Sequence, residues 1–99
     1  MESPVLHHEF EWDDEKARAN ERKHGVSFDE AKTCFYDVFA IESHDVVHSA
    51  GEDRFIIMGR TDQNRVIVTA FTIRAMTIRI ISAREARRQE RLEYEKQIR

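Results

Sequence analysis

Three short runs of β-branched and aromatic residues, separated by brief polar turns, constrain this chain more than any other feature. Residues 54–60 hold Phe55, Ile56, Ile57 and Met58; residues 65–71 hold Val66, Ile67, Val68 and Phe71; residues 77–82 hold Ile78, Ile80 and Ile81. Runs of this length and composition form strands. Thr61-Asp62-Gln63-Asn64 makes the first turn and residues 72–76 the second. Strands joined by so few residues pair antiparallel, because a parallel crossover needs about a dozen residues or more. The spacing predicts an antiparallel meander.

The flanks carry a different period. Phe10 and Trp12 alternate with Glu9 and Glu11, which predicts a short strand with one apolar face. Asp13-Asp14-Glu15 opens a helix, where acids complement the positive end of the aligned peptide dipoles. That helix runs to about His24 and stops at Gly25, a residue suited to the left-handed cap. Ser27-Phe28-Asp29-Glu30 has the pattern of a capping box: Ser27 as N-cap, Glu30 reaching back, Val26 and Ala31 as a hydrophobic staple. Phe28, Ala31, Cys34 and Phe35 recur at helical spacing and are expected in the core. Phe39-Ala40-Ile41 starts another strand, and residues 44–51 read as a polar loop. From Ala83 no breaker interrupts a final helix to about Ile98. The order is β-α-α-β-β-β-β-α. The fold class is α+β, an antiparallel β-sheet meander with two N-terminal helices and a C-terminal helix.

At 99 residues the expectation is a single domain, 1–99, with 1–7 as a loose leader. An apolar content of 40% supports a modest core without metal or disulfide. Cys34 has no cysteine to pair with and reads as packing, which suits a reducing compartment. Neither a signal-peptide pattern nor an apolar run of membrane length is visible, so a cytoplasmic protein without a membrane partner is expected. The net charge of -3 hides a division. Residues 1–53 hold 5 Lys and Arg against 14 Asp and Glu; residues 54–91 hold 9 Arg, no Lys and 3 acids. Arg offers a planar fork of donors that matches phosphate. The division reads either as a basic face beside an acidic one or as ion pairs bridging the two halves.

Four places could carry chemistry. Lys23 and His24 end the first helix, as acid–base or phosphate groups or simply as cations favoured at a helix C-terminus. His44-Asp45-Val46-Val47-His48 has two histidines four apart, a helical metal-ligand spacing in a stretch that does not read as a helix; with no CxxC or HExxH pattern, neither metal nor cofactor is expected. Arg54, Arg60, Arg65, Arg74, Arg79 and Arg84 fall on or beside strands. Arg79 opposes Ile78 and Ile80, so an open sheet face could gather several arginines onto phosphate or present ordinary surface charge. Arg84, Arg87, Arg88 and Arg91 follow i, i+3, i+4, i+7 spacing and would line one face of the final helix, as a cationic stripe or as partners of its glutamates.

These residues also form a pattern. Phe10-Glu11-Trp12-Asp13, Lys16-Ala17, Asn20 and Lys23-His24-Gly25-Val26-Ser27-Phe28, then Glu30-Ala31 and Phe35, resemble the N-terminal signature of the BrnT toxin family. Glu52-Asp53-Arg54-Phe55 with Gly59 resembles the start of that family's second strand. Ile78-Arg79-Ile80-Ile81-Ser82-Ala83-Arg84, with Arg87, Glu90 and Tyr94, resembles its late signature. The resemblance spans about residues 10 to 95, with separated motifs in the right order. It implies a RelE-like fold, ribonuclease activity and neutralisation by a BrnA-like ribbon-helix-helix antitoxin. Promoter DNA would be bound only through the toxin–antitoxin complex. One departure stands out: residues 72–77 lack the glycine of the family's tight polar turn, and Ile73 and Met76 make this hairpin apolar, which points to a longer turn or a partner contact.

RNA cleavage without a metal needs a base for the ribose 2′-hydroxyl, cations for the charge on phosphorus and an acid for the departing 5′ oxygen. On the resemblance and these constellations, Arg79 and Arg84 are expected to serve phosphate and transition-state charge, Lys23 or His24 proton transfer, and Glu52 as a second base. Arg54, Arg60, Arg65, Arg87 and Arg88 are expected on RNA. The function expected is a type II toxin: a metal-independent endoribonuclease that blocks translation. Two rivals use the same arginines: a non-catalytic RNA- or partner-binding module, and a structural protein whose Arg helix docks an acidic helix.

Overall fold

The computed structural model describes residues 9–98, so the 1–7 leader lies outside the described residues. The elements are β1 (Glu9–Glu11), α1 (Asp14–His24), α2 (Phe28–Ala31) continuing as a 3-10 turn (Lys32–Tyr36), β2 (Ile41–His44), β3 (Phe55–Arg60), β4 (Val66–Arg74), β5 (Thr77–Glu85) and α3 (Arg88–Glu95). Their order is the one expected. Five strands form one sheet, β1-β5-β4-β3-β2. The meander β2 to β5 is antiparallel, and β1 joins its far edge parallel to β5.

Local chemistry sets the helices. Asp13 accepts from the Lys16 backbone N–H to cap α1, and Gly25 ends it at φ 69°. Ser27 Oγ accepts from the Glu30 N–H at 3.0 Å. Only this half of the expected capping box forms. The Glu30 side chain turns instead to Arg65 and to Thr61, whose Oγ1 donates to it at 2.7 Å. A buried carboxylate gains more from a guanidinium than from one backbone N–H.

The helices α1 and α2 cover one sheet face. Val26, Phe28, Ala31, Cys34 and Phe35 pack there on Ile57, Ile67, Phe71, Ile78, Ile80 and Ala83. Cys34 is buried, and desolvation pushes its thiol up to about 12, as suits a packing residue. Asn20 latches α1 to the edge of β5 beyond the end of β1: its amide donates to Val26 O and Ala83 O and accepts from Ala83 N. On the opposite face α3 covers one end of the sheet, with Tyr94 and Ala86 against Met58, Val66, Ile41 and Val68. The Tyr94 hydroxyl donates to Asp37, which also accepts from the Arg60 N–H at 2.7 Å. Among the described residues no helix is long and apolar enough to cross a membrane.

Several boundaries differ from expectation. Strand β2 starts at Ile41 rather than Phe39, and the final helix ends at Glu95 rather than about Ile98. Three others bear on the open face. Strand β4 runs on through Thr72 and Arg74, so the second hairpin turn is tight: Arg74 pairs with Thr77, and Ala75 takes φ 54° in place of a glycine. Strand β5 runs to Glu85, because Val66, Ile67 and Val68 of β4 extend that far and their backbone groups pair with it. The final helix therefore starts at Arg88 rather than Ala83, and Arg84 belongs to the sheet. The expected four-arginine helical stripe is not formed.

Candidate functional site

The half of the sheet that α3 leaves open carries Glu52, Arg54, Arg74 and Arg79 of the candidate residues, with Arg84 at its margin beside α3. A bulge decides the side that Arg84 takes. Ala70 pairs with Ser82 but Phe71 with Ile80, so Ile81 is an extra residue in β5. Strict alternation would turn Arg84 toward the helices with Ile78 and Ile80. The extra residue reverses the phase, and Arg84 emerges on the same open side as Arg79.

The register builds a row of side chains across this side. Glu11 of β1 pairs with Arg79 of β5, and Arg79 pairs with Thr72 of β4. One step beyond the Phe55–Phe71 pair, Arg54 falls opposite Thr72, and the Asp45 N–H donates to Arg54 O at 2.8 Å. The row reads Glu11, Arg79, Thr72, Arg54, Asp45. Nearer the hairpin, Arg74 grips Glu52 with two hydrogen bonds of 2.8 and 3.0 Å. Farther along β5, Arg84 grips Glu90 of α3 at 2.8 and 2.9 Å. The two arginines in the row are held more loosely: Arg79 lies 3.6 Å from Glu11, and Arg54 3.6 Å from Asp45.

Electrostatics follow the pairing. The Arg74 hydrogen bonds, with the fields of Arg74 and Arg79, hold the Glu52 carboxyl below its ordinary value. Arg84 holds the Glu90 carboxyl down to about 2, and Glu90 raises Arg84 in return. Partial burial works to raise the Asp45 carboxyl, but His48 and Arg54 outweigh it. The His48 ring nitrogen Nδ1 sits 3.0 Å from Asp45, and His44 Nε2 3.3 Å from Asp53. Among the described residues, no group of three His, Cys, Asp or Glu side chains is placed to hold a metal ion.

The structure thus brings Glu52, Arg54, Arg74 and Arg79 together and adds Glu11 and Thr72. Glu11 sits in a strand of alternating pattern, a signal that it shares Arg79's side only once β1 is paired with β5. Thr72 lies in a stretch that reads as a turn, and only the continuation of β4 to Arg74 puts it in the sheet opposite Arg79. Lys23 and His24 are not part of the group: they are exposed at the end of α1, in the helical layer across the sheet. Arg65 also leaves it. Its guanidinium bonds Glu30, Glu85 and Gly25 O on the helical side, which fills the fork. Arg60 stacks over the Tyr94 ring at 5.6 Å and donates to Asn64, beside α3. Arg87 and Arg88 are exposed at the start of α3.

An open face of arginines interleaved with carboxylates can hold an anion and move a proton beside it, the two needs of phosphodiester chemistry. Comparison with known proteins agrees with that direction. A family model described as the ribonuclease toxin BrnT of type II toxin–antitoxin systems matches residues 12–90. The 1.1 Å crystal structure of the Brucella abortus ribonuclease toxin BrnT is similar in fold, with a TM-score of 0.64 at 20% identity, covering 82% of this chain and 99% of that one. No curated protein sequence matches. The family model takes in both helices of the N-terminal layer, the whole meander and the start of α3, so the chain belongs to the BrnT family of ribonuclease toxins, the toxin half of type II toxin–antitoxin systems.

Proposed function

We propose that this chain is a metal-independent endoribonuclease that cleaves RNA by attack of a ribose 2′-hydroxyl on the adjacent phosphorus. A carboxylate takes the 2′ proton, the 2′ oxygen bonds to phosphorus, and the P–O5′ bond breaks. The carboxylic acid so formed, or water, returns a proton to the 5′ oxygen. The products are a 2′,3′-cyclic phosphate and a 5′-hydroxyl, and cutting messages in this way blocks translation in the cytoplasm.

The observation that carries the reading is the Glu11–Arg79 and Glu52–Arg74 cluster on one open sheet face. Arg79 serves the phosphate and its transition-state charge, with Arg54 beside it. Glu52 is the base, freed when a phosphate competes for Arg74. Arg84, bound on both nitrogens by Glu90, contributes to phosphate only if that grip opens. The layering of α1 and α2 against an antiparallel meander supports the RelE-like assignment. A BrnA-like ribbon-helix-helix antitoxin would cover the open face and the adjoining hairpin, where Ile73 and Met76 stand exposed, and promoter DNA would be reached only through that complex. One observation favours the binding-module alternative: a Glu52 carboxyl held low by Arg74 is a weak base at rest.

Cleavage of 5′-labelled RNA by the chain freed of its partner, in EDTA, decides between them. Cyclic-phosphate ends that persist in EDTA and vanish in Arg79→Ala support the enzyme. A drop on the order of 10²–10³ in rate is expected for a lost transition-state donor. A folded protein that binds RNA and leaves it intact supports the binding module.

A further inference from the structure

Among the described residues, two buried side-chain polar atoms lack a hydrogen-bond partner: Arg54 Nε and Thr72 Oγ1. They come from different strands, yet the register sets them side by side on the open face. Thr72 is 4% exposed and stands between Arg54 and Arg79. Buried polar groups are almost always bonded, so two orphans in one row need an account.

The surrounding pairs supply it. Arg74 and Arg84, on either side along the sheet, are each locked by two short hydrogen bonds to a glutamate. Among the described residues, Arg54 and Arg79, flanking Thr72, have carboxylates only at 3.6 Å. That distance keeps the attraction of opposite charges but makes no hydrogen bond. The centre of the row thus holds two guanidiniums with donors to spare and a hydroxyl with nothing to bond. What completes such a set is a compact anion with several acceptor oxygens on one centre, and phosphate has that form.

We propose that Arg54, Thr72 and Arg79 form the seat of a single RNA phosphodiester, with the Thr72 hydroxyl donating to a non-bridging oxygen and Arg54 Nε–H to the same group. The seat rests on the ribonuclease reading for the identity of its ligand. It adds Thr72 as a residue that fixes which phosphate lies beside Arg79. The hydroxyl is retained although it lacks a partner in the free protein, because the ligand supplies one.

Thr72→Val separates the two roles, since it keeps the side-chain shape and removes the hydroxyl. Binding of a non-cleavable 2′-O-methyl oligonucleotide by anisotropy should weaken about tenfold or more, the usual effect of losing a hydrogen bond to a charged group. The thermal midpoint should hold or rise, since an unpaired buried hydroxyl has been removed. Thr72→Ser should restore binding. If Thr72→Val binds and cuts like the native chain while Arg79→Ala loses both, the seat is overturned and the ribonuclease reading survives. If Thr72→Val weakens binding but the native chain never cuts, the seat stands and the ribonuclease reading falls. Unchanged binding in both variants overturns the seat.

Discussion

Replacing Arg65 by Ala should destabilise this protein far more than removing any arginine on the open face. The Glu30 side chain is 2% exposed, and its carboxylate is bonded by Arg65 through Nε and Nη2 and by Thr61. Arg65 also donates to Gly25 O at 3.0 Å and to Glu85 at 3.1 Å, tying the end of α1 to β5. Truncating it leaves a buried carboxylate with one hydroxyl donor. Stranding a buried charge costs about 3–5 kcal/mol, out of the roughly 5–15 kcal/mol that holds a domain of this size together. Arg65→Lys keeps the charge without the fork and should recover less than half of the loss. Glu30 and Arg65 replaced together by Met should cost less than Arg65→Ala alone, but not nothing, because Thr61 and Gly25 O would still lose a partner. The pH dependence supplies a second test. Arg65 holds the Glu30 carboxyl below its ordinary value, so the pair's contribution is complete above the unfolded carboxyl pKa of about 4.3 and fades as pH falls through the lower folded value. Trp12 is the only tryptophan and packs edge-on against Phe28 at 5.9 Å, so its fluorescence in a urea titration reports on this layer. A loss under about 1 kcal/mol for Arg65→Ala at neutral pH would refute the argument. So would a loss of RNA affinity in the folded variant, which would return Arg65 to the RNA-binding set.

Three further outcomes are expected. Glu90 accepts from the Arg87 N–H at 2.7 Å and binds Arg84 twice, with its carboxyl near 2; acid titration of folding should therefore show a loss between about pH 4.3 and 2 that Glu90→Gln removes. Ala75→Gly should relieve the positive φ of 54° and stabilise the fold by about 1 kcal/mol, raising the thermal midpoint by roughly 4–8 °C, whereas no rise would show the turn to be unstrained. Tyr94→Phe should cost about 1.5–3 kcal/mol by taking one donor from Asp37 and loosening α3, read as a lower urea midpoint with an unchanged slope.

Much of the fold could be read from residue order, and the exceptions share a cause. Asp13, Gly25 and Ser27 act within one turn of the chain, so their roles were visible locally. Where a distant element competes, local preference loses. Ala83-Arg84-Glu85 favours a helix, yet the backbone groups of Val66, Ile67 and Val68, which need partners on that side of β4, draw it into the sheet. Glu30 fits a capping box until Arg65, thirty-five residues away, claims it. A three-residue β1 pairing parallel to β5 has no local signal of partner or direction. The site was legible in part for the same reason. Arg79 was placed by alternation alone, whereas Thr72, Glu11 and the side taken by Arg84 depend on where strands end and on one bulged residue, Ile81.

The charge division in the chain does not become a basic face beside an acidic one; it becomes pairs. Arg54, Arg65, Arg74 and Arg79, all from the arginine-rich segment, meet Asp45, Glu30, Glu52 and Glu11, all from the acidic one. A net charge of -3 is therefore a poor guide to what the open face can bind. An incoming phosphate does not meet bare cations there. It must displace carboxylates, and the pairs at 3.6 Å yield at lower cost than those at 2.8 Å, since no hydrogen bond is broken. Such a face discriminates against weak or diffuse anions, because only a ligand with several close oxygens offsets what it breaks. Under the proposed chemistry the exchange has a second effect. A phosphate that also engages Arg74 releases Glu52, whose carboxylate then regains basicity, so substrate binding itself would arm the base beside the ribose that it must deprotonate.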